Sequence, residues 1–143
     1  MELSKVFILA GGEGTRLRPL TLTRPKSMIP LGPKPVIEHL ISQITQSGFS
    51  EFIITVGHQK EQVMHHLGDG SHFGVTVNYS IEPEGIMLGT AGGVKLASHL
   101  LTDTFMVLQG DAYMTFDIAK ALDVHRKTEA DATIILREVL EPW

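Results

Sequence analysis

Cysteine is absent from the 143 residues. Disulfide frameworks and thiolate metal sites are thereby excluded, and a reducing compartment is compatible with the chain. No apolar run approaches the roughly 20 residues that a membrane-spanning helix needs. The opening Met1-Glu2-Leu3-Ser4-Lys5 has no charged segment leading into a long apolar stretch, so no targeting peptide is read there. These absences lead to the expectation of a cytoplasmic protein without a membrane partner. An excess of positive charge is also missing. The net charge is −4, which argues against a broad nucleic-acid-binding face. There are no internal repeats and no low-complexity linkers. What remains is the balance of one globular domain, with 43% hydrophobic and 20% charged residues. The basic residues are unevenly placed, because six of the twelve Lys and Arg fall within the first 34 positions.

The hydrophobic pattern alternates between strand and helix. Lys5–Ala10 reads as a buried strand, and a loop rich in Gly, Pro and Thr follows to Lys34. Pro35 is suited to the first helical position, where a missing N–H costs nothing. Val36, Ile37, Leu40, Ile41 and Ile44 recur at helical spacing, and Gly48 closes the helix. Residues 52–56 form a short β-branched run ended by Gly57, and residues 59–67 predict a second helix. Val75, Val77, Tyr79 and Ile81 alternate as in a half-buried strand. A helix is expected from about Thr90 to Leu101, a buried strand over 105–108, a helix over 118–126 and a last strand over 132–136. This order predicts an α/β fold, Rossmann-like, with a mostly parallel sheet covered on both faces. Ligands bind such sheets beyond the carboxyl ends of the strands. Gly11, Glu82 and Asp111 all follow a predicted strand.

The stretch after the first strand reads Leu9-Ala10-Gly11-Gly12-Glu13-Gly14-Thr15-Arg16. Successive glycine N–H groups at a strand end can form a nest for phosphate oxygens. Two common phosphate loops do not fit. No Gly-Lys-Ser/Thr ending is present, and Leu17 stands where a dinucleotide fingerprint would place a third glycine. Arg16 and Lys26 come after the glycines, and both residue types bind phosphate, Arg as a fork and Lys as a mobile point charge. A plain turn with solvated basic residues would account for the glycines alone.

Together with Pro25-Lys26, this stretch resembles the signature of the sugar-phosphate nucleotidylyltransferases, the NDP-sugar pyrophosphorylases. Lys34-Pro35-Val36-Ile37-Glu38-His39, Leu88-Gly89-Thr90-Ala91-Gly92-Gly93 and Phe105-Met106-Val107-Leu108-Gln109-Gly110-Asp111 resemble further motifs of that family, in the same order. Gly68-Asp69-Gly70-Ser71, Gly110-Asp111-Ala112 and Asp117-Ile118-x-Lys120-Ala121 are similar to its mannose-1-phosphate guanylyltransferase branch.

The resemblance implies joining of a sugar 1-phosphate to the α-phosphate of a nucleoside triphosphate, with release of pyrophosphate. The task is to position two mutually repelling anions and to neutralise the leaving group. It implies nucleotide contacts at Leu9, Ala10, Gly11, Gly12, Gly14 and Thr15, with Arg16 on the triphosphate and Lys26 between the α-phosphate and the sugar phosphate. Asp111 would hold Mg²⁺, a hard ion that takes oxygen ligands and substrate phosphates. Without the other motifs, Asp111 would read as a cap for the next turn. Glu82 is the candidate base reader, since a carboxylate accepts from the N1–H and N2 amino edge of guanine and is repelled by acceptor edges. Strand alignment selects Glu82, whereas counting back from Leu88 selects Glu84; the reading here rests on Glu82. Gly89 and Thr90 would lie near base and ribose.

Other residues have plainer readings. Arg18 and Arg24 fit solvated surface charge. His65 and His66 are adjacent and point to different helix faces, so with His72 they make a poor metal site. His39 and His99 read as helix-surface or packing residues, and the six methionines as core filler. The last residues, Arg137 to Trp143, resemble a segment that continues further in the family. Residues 1–143 are therefore expected to be the nucleotide-binding N-terminal part of a longer catalytic domain. That implies weak nucleotide binding, negligible turnover and uncovered apolar surface that favours a homo-oligomer. The same chemistry with UTP or dTTP and glucose 1-phosphate is an alternative. So is a non-catalytic nucleotide-sensing homologue, against which Arg16, Lys26 and Asp111 together argue. A bare interaction domain leaves the glycine and arginine loop unexplained.

Overall fold

The computed structural model describes residues 5–86, 88–113 and 115–138. The expected last residues, 139 to 143, lie outside the described residues. Strand β1 (Lys5–Leu9) leads into the glycine loop. A small antiparallel ribbon follows, β2 (Pro30–Leu31) with β3 (Lys34–Pro35). Then come α1 (Val36–Gln46), β4 (Glu51–Val56), α2 (Lys60–Leu67), β5 (Thr76–Ile81), α3 (Gly89–Leu96), β6 (Phe105–Gln109) and α4 (Ile118–Thr128). The main sheet has the order β5-β4-β1-β6 and every pair in it is parallel.

Chemistry-bearing positions follow directly from this order. Parallel strands present all their carboxyl ends at one edge, so residues 10, 57, 82 and 110 emerge side by side. Strand β1 is central and apolar on both faces, with Val6, Phe7 and Ile8 fully buried. One face packs Val6 and Ile8 with Ile37, Leu40, Ile41 and Ile44 of α1 and with Val63 and Leu67 of α2. The other packs Phe7 and Ile53 with Ala97 beyond α3. The spacing of the α1 apolar residues puts them on one stripe, and each fully buried aliphatic side chain contributes roughly 1.5–3 kcal/mol.

Three expectations are corrected in detail. Pro35 is not the first residue of α1 but the residue before it, extended at φ −68° and ψ 155° and paired with Pro30. The helix expected to reach Leu101 is α3, which ends at Leu96, after which turn hydrogen bonds carry the chain through Leu100 and Leu101. Three of its eight residues are glycine, a poor composition for propagating a helix. The strand expected at 132–136 is absent: Ile134, Ile135 and Leu136 are 79%, 50% and 85% exposed. An apolar stretch becomes a strand only where a neighbour supplies ladder partners, and no described strand lies alongside it.

Candidate active site

The glycine loop begins with a backbone anchored on both sides. The Ala10 N–H donates to the Thr55 carbonyl at 3.1 Å and reaches Thr55 Oγ1 at 3.2 Å. On the other side, the Gly110 N–H donates to the Leu9 carbonyl at 2.9 Å. Gly14 has φ +62°, and a Cβ there would stand 2.9 Å from Thr21 Cγ2, so only glycine fits. The buried Thr21 hydroxyl donates to the Gly14 carbonyl at 2.8 Å and closes the loop on itself. Thr15–Leu17 and Lys26–Met28 each form one 3₁₀ turn. The segment between them is tied to the N-terminal end of α2. Gln59 Nε2 donates to the Leu22 carbonyl at 2.9 Å, and Gln62 Nε2 donates to the Thr23 carbonyl at 2.8 Å.

The result is a cleft of about 540 Å³ at the carboxyl edge of the sheet. Leu9, Ala10, Gly11, Gly12, Gly14, Thr15, Arg16, Lys26, Glu82, Gly89, Thr90 and Asp111, all singled out from the sequence, line this one cleft. Glu82 follows β5 on one outer strand and Asp111 follows β6 on the other, with the glycine loop after β1 between them. Strand spacing puts the two outer strands roughly 14 Å apart.

The Glu82 carboxylate reaches back from β5 over the glycine loop. A Cβ built on Gly11 would lie 2.6 Å from its Cδ and from its Oε2. Its backbone N–H is fixed by the Val56 carbonyl at 2.8 Å. No described residue pairs with its side chain, and burial pushes the carboxyl above its usual range. Glu84 also lines the cleft but sits exposed in the turn 83–86, where the Ile86 N–H bonds the Pro83 carbonyl. Of the two glutamates, only Glu82 is packed against the glycines.

Lys26 and Asp111 form an ion pair across the cleft, each side chain about a third exposed. Arg16 is exposed at the cleft wall and makes no ion pair with any described residue. Arg18 instead pairs with Glu13 at 3.5 Å on the surface. Three of the histidines are otherwise engaged. His66 Nε2 lies 3.0 Å from Glu38 Oε2, His72 stacks on Phe73 with centroids 3.8 Å apart, and His39 Nε2 lies 2.8 Å from the Leu31 carbonyl. No group of three or more potential metal ligands is found among the described residues. Asp111 therefore fits a metal only in the manner of Mg²⁺, which binds through one or two carboxylates and completes its shell with water and substrate phosphate.

Sequence reasoning missed the β4–α2 connection. Thr55, Gly57, His58, Gln59 and Lys60 also line the cleft. Gly57 closes a β-branched strand run, and that was the available signal: a strand end beside the glycine loop. Which strand neighbours β1 is settled only by pairing, and pairing is not written in the local pattern.

Known proteins resemble this chain in sequence and fold. A family model described as "Nucleotidyl transferase" matches residues 5–142. A UTP–glucose-1-phosphate uridylyltransferase from Synechocystis sp. is 42% identical over 145 residues, covering 94% of this chain and 37% of that protein. A mannose-1-phosphate guanylyltransferase from Mycobacterium tuberculosis is 40% identical over 136 residues, with the same two coverages. Among solved structures, a putative glucose-1-phosphate thymidylyltransferase from Bacillus anthracis superposes with a TM-score of 0.78 at 27% identity, over 88% of this chain and 51% of that one. HddC from Yersinia pseudotuberculosis, complexed with GMP-PN, gives 0.76 at 27% identity, over 86% and 54%. The chain thus spans 37% of the length of those two curated relatives. Motif order, parallel sheet and family match agree over nearly all of its residues, and the chain belongs to the nucleotidyl transferase family.

Proposed function

We propose that these residues form the nucleotide half-site of a sugar-1-phosphate nucleotidylyltransferase, with GTP as the nucleotide and mannose 1-phosphate as the acceptor. The supporting observation is the composition of one cleft: a glycine loop, a carboxylate without a described partner packed over it, and an ion pair between Lys26 of the loop segment after β1 and Asp111 after β6. In the reaction, a phosphate oxygen of the sugar 1-phosphate attacks the α-phosphorus of the triphosphate. The bond from that phosphorus to the α,β-bridging oxygen breaks, and pyrophosphate leaves with the electron pair.

The chain's own groups serve binding, orientation and charge. Backbone N–H groups of Gly11, Gly12 and Gly14 hold phosphate oxygens, and Arg16 neutralises the leaving pyrophosphate. Lys26 exchanges its partner Asp111 for the α-phosphate and the incoming sugar phosphate, reducing the repulsion between them. Asp111 would hold Mg²⁺ together with phosphate oxygens, and that ion supplies charge neutralisation when bound. Glu82 accepts from guanine N1–H and the N2 amino group. Uracil or thymine sets carbonyl oxygens on both sides of its single N–H, and these repel a carboxylate.

A second reading has a specific observation behind it. The Synechocystis relative, at 42% identity, carries UTP and glucose 1-phosphate in its name. Calorimetric titration of the chain with GTP, UTP, dTTP and ATP, with and without Mg²⁺, separates the two. GTP-preferring binding that Mg²⁺ strengthens and Arg16→Ala weakens is the expected result. A UTP preference would transfer the proposal to the uridylyl reaction, and a folded chain without nucleotide binding would end it.

A further inference from the structure

The Glu82 carboxylate lies beside three residues that have no side chain. Gly11 follows β1, Gly57 follows β4 and Gly93 lies in α3, so they come from three separate parts of the chain. A Cβ on Gly11 would overlap the Glu82 carboxylate, with Oε2 at 2.6 Å and Oε1 at 2.9 Å. One on Gly57 would stand 2.9 Å from the Gly11 carbonyl oxygen and 3.4 Å from Glu82 Oε2. One on Gly93 would stand 3.5 Å from Glu82 Oε1 and 3.1 Å from Leu9 Cδ2. Both carboxylate oxygens therefore lie against bare backbone. A side chain at Gly11 would displace the carboxylate, one at Gly57 would move the glycine loop beneath it, and a polar one at Gly93 would press on Leu9 and offer Oε1 a competing partner.

Gly57 and Gly93 do not need glycine for their own backbone. Neither has a positive φ, whereas Gly14 and Gly89 do. Gly93 is buried inside a helix, where glycine is the weaker helix former by up to about 1 kcal/mol against alanine. A residue chosen for the helix alone would not be glycine.

Building on the reading of the cleft as a nucleotide site, we infer that Gly57 and Gly93 are specificity-determining positions. Together with Gly11 they form a socket that holds the Glu82 carboxylate where only the base can supply its hydrogen-bond donors. They are positioning residues and touch neither phosphate nor metal in this scheme. The socket leaves the carboxylate partly buried and without a described partner, in keeping with the direction in which burial moves its titration.

The test is the ratio of GTP to UTP affinity, measured by calorimetry on the whole chain and on Glu82→Gln, Gly93→Ser and Gly57→Ala. Thermal melts report folding. Gly93→Ser brings a hydroxyl within reach of Oε1, where it competes with the base. The GTP preference is expected to fall at least about tenfold, the worth of one hydrogen bond to a charged group, with UTP affinity and melting temperature little changed. Gly57→Ala moves the Gly11 carbonyl and is expected to lower the same ratio. Should Gly57→Ala fail to fold, Gly93→Ser decides alone. A purely structural role for Gly93 predicts an altered melting temperature and an unchanged ratio, and that result overturns the inference. Collapse of the ratio in Glu82→Gln while a folded Gly93→Ser keeps it would remove the socket and leave the base-reading role standing. An unchanged ratio in Glu82→Gln itself would overturn both.

Discussion

Glu38 in α1 has both carboxylate oxygens occupied. Oε1 accepts from Lys34 Nζ at 2.8 Å, and Oε2 accepts from His66 Nε2 at 3.0 Å. Glu82, after β5, is partly buried beside three glycines and has no described partner for its side chain. The two respond oppositely. Burial pushes both carboxyls upward, but at Glu38 the hydrogen bonds from Lys34 and His66 outweigh it and hold the group below its usual range. At Glu82 burial acts alone and the group stays raised. A satisfied buried carboxylate works as a clasp, here joining the β2–β3 ribbon, α1 and α2. A partly buried carboxylate left without protein donors carries a free-energy cost that a ligand can relieve.

Exchanging each glutamate for its amide should separate the two roles. Glu82→Gln is expected to weaken GTP binding most, by about 1.5–3 kcal/mol, the worth of hydrogen bonds to a charged group. Calorimetry reads that loss, while the melting temperature holds or rises because an unpaired charge has gone. Glu38→Gln should do the reverse. Its Lys34 and His66 contacts lose their charge, folding stability falls by about 1 kcal/mol in urea titrations, and nucleotide affinity is kept. Equal effects of both substitutions on binding would erase the distinction.

Acid sharpens the comparison. Glu38 has a lowered value in the folded chain, so its stabilising contribution is present above pH 4.5, the ordinary glutamate value, and is lost as pH falls through the folded value. Glu82 has a raised value. Its contribution is full below pH 4.5 and is lost as pH rises through the folded value. The stability gained by Glu82→Gln at neutral pH should therefore shrink as the solution is acidified towards pH 4.5, and the penalty of Glu38→Gln should shrink only below it. Urea midpoints across pH 3–8 follow both.

The smallest effect is expected at Tyr79, a partly buried residue whose hydroxyl donates to the Gly68 carbonyl at 2.6 Å. Burial, aided by the Asp69 charge, pushes it up to about 12. Ultraviolet titration should find Tyr79 neutral well beyond pH 10, and Asp69→Asn should lower its midpoint slightly.

The sequence carried more of the site than of its surroundings. Residues of the glycine loop, Glu82 and Asp111 were legible because each ends a predicted strand, and parallel pairing brings such ends to one edge. Gly57 and Gly93 were not, since a glycine's use depends on what lies within 3–4 Å of it, and that is a tertiary fact. The Lys26–Asp111 pair spans 85 positions of the chain and leaves no local pattern. Residues 132–136 carried a strand pattern that the fold leaves unpaired, because β propensity is realised only beside a neighbour.

Strand β1 lies between β4 and β6, and its residues 5–9 pair with 105–109. That contact closes a loop of about a hundred residues, the kind of long-range pairing that is made late and slowly. On a ribosome, β1, β4 and β5 can assemble as soon as residue 81 has emerged. The Lys26–Asp111 end of the cleft must wait for another thirty. During that interval β1 is an open edge, its N–H and C=O groups exposed to any passing strand. The stage of synthesis at which this chain most needs protection from aggregation is therefore the same stage at which its cleft is half built.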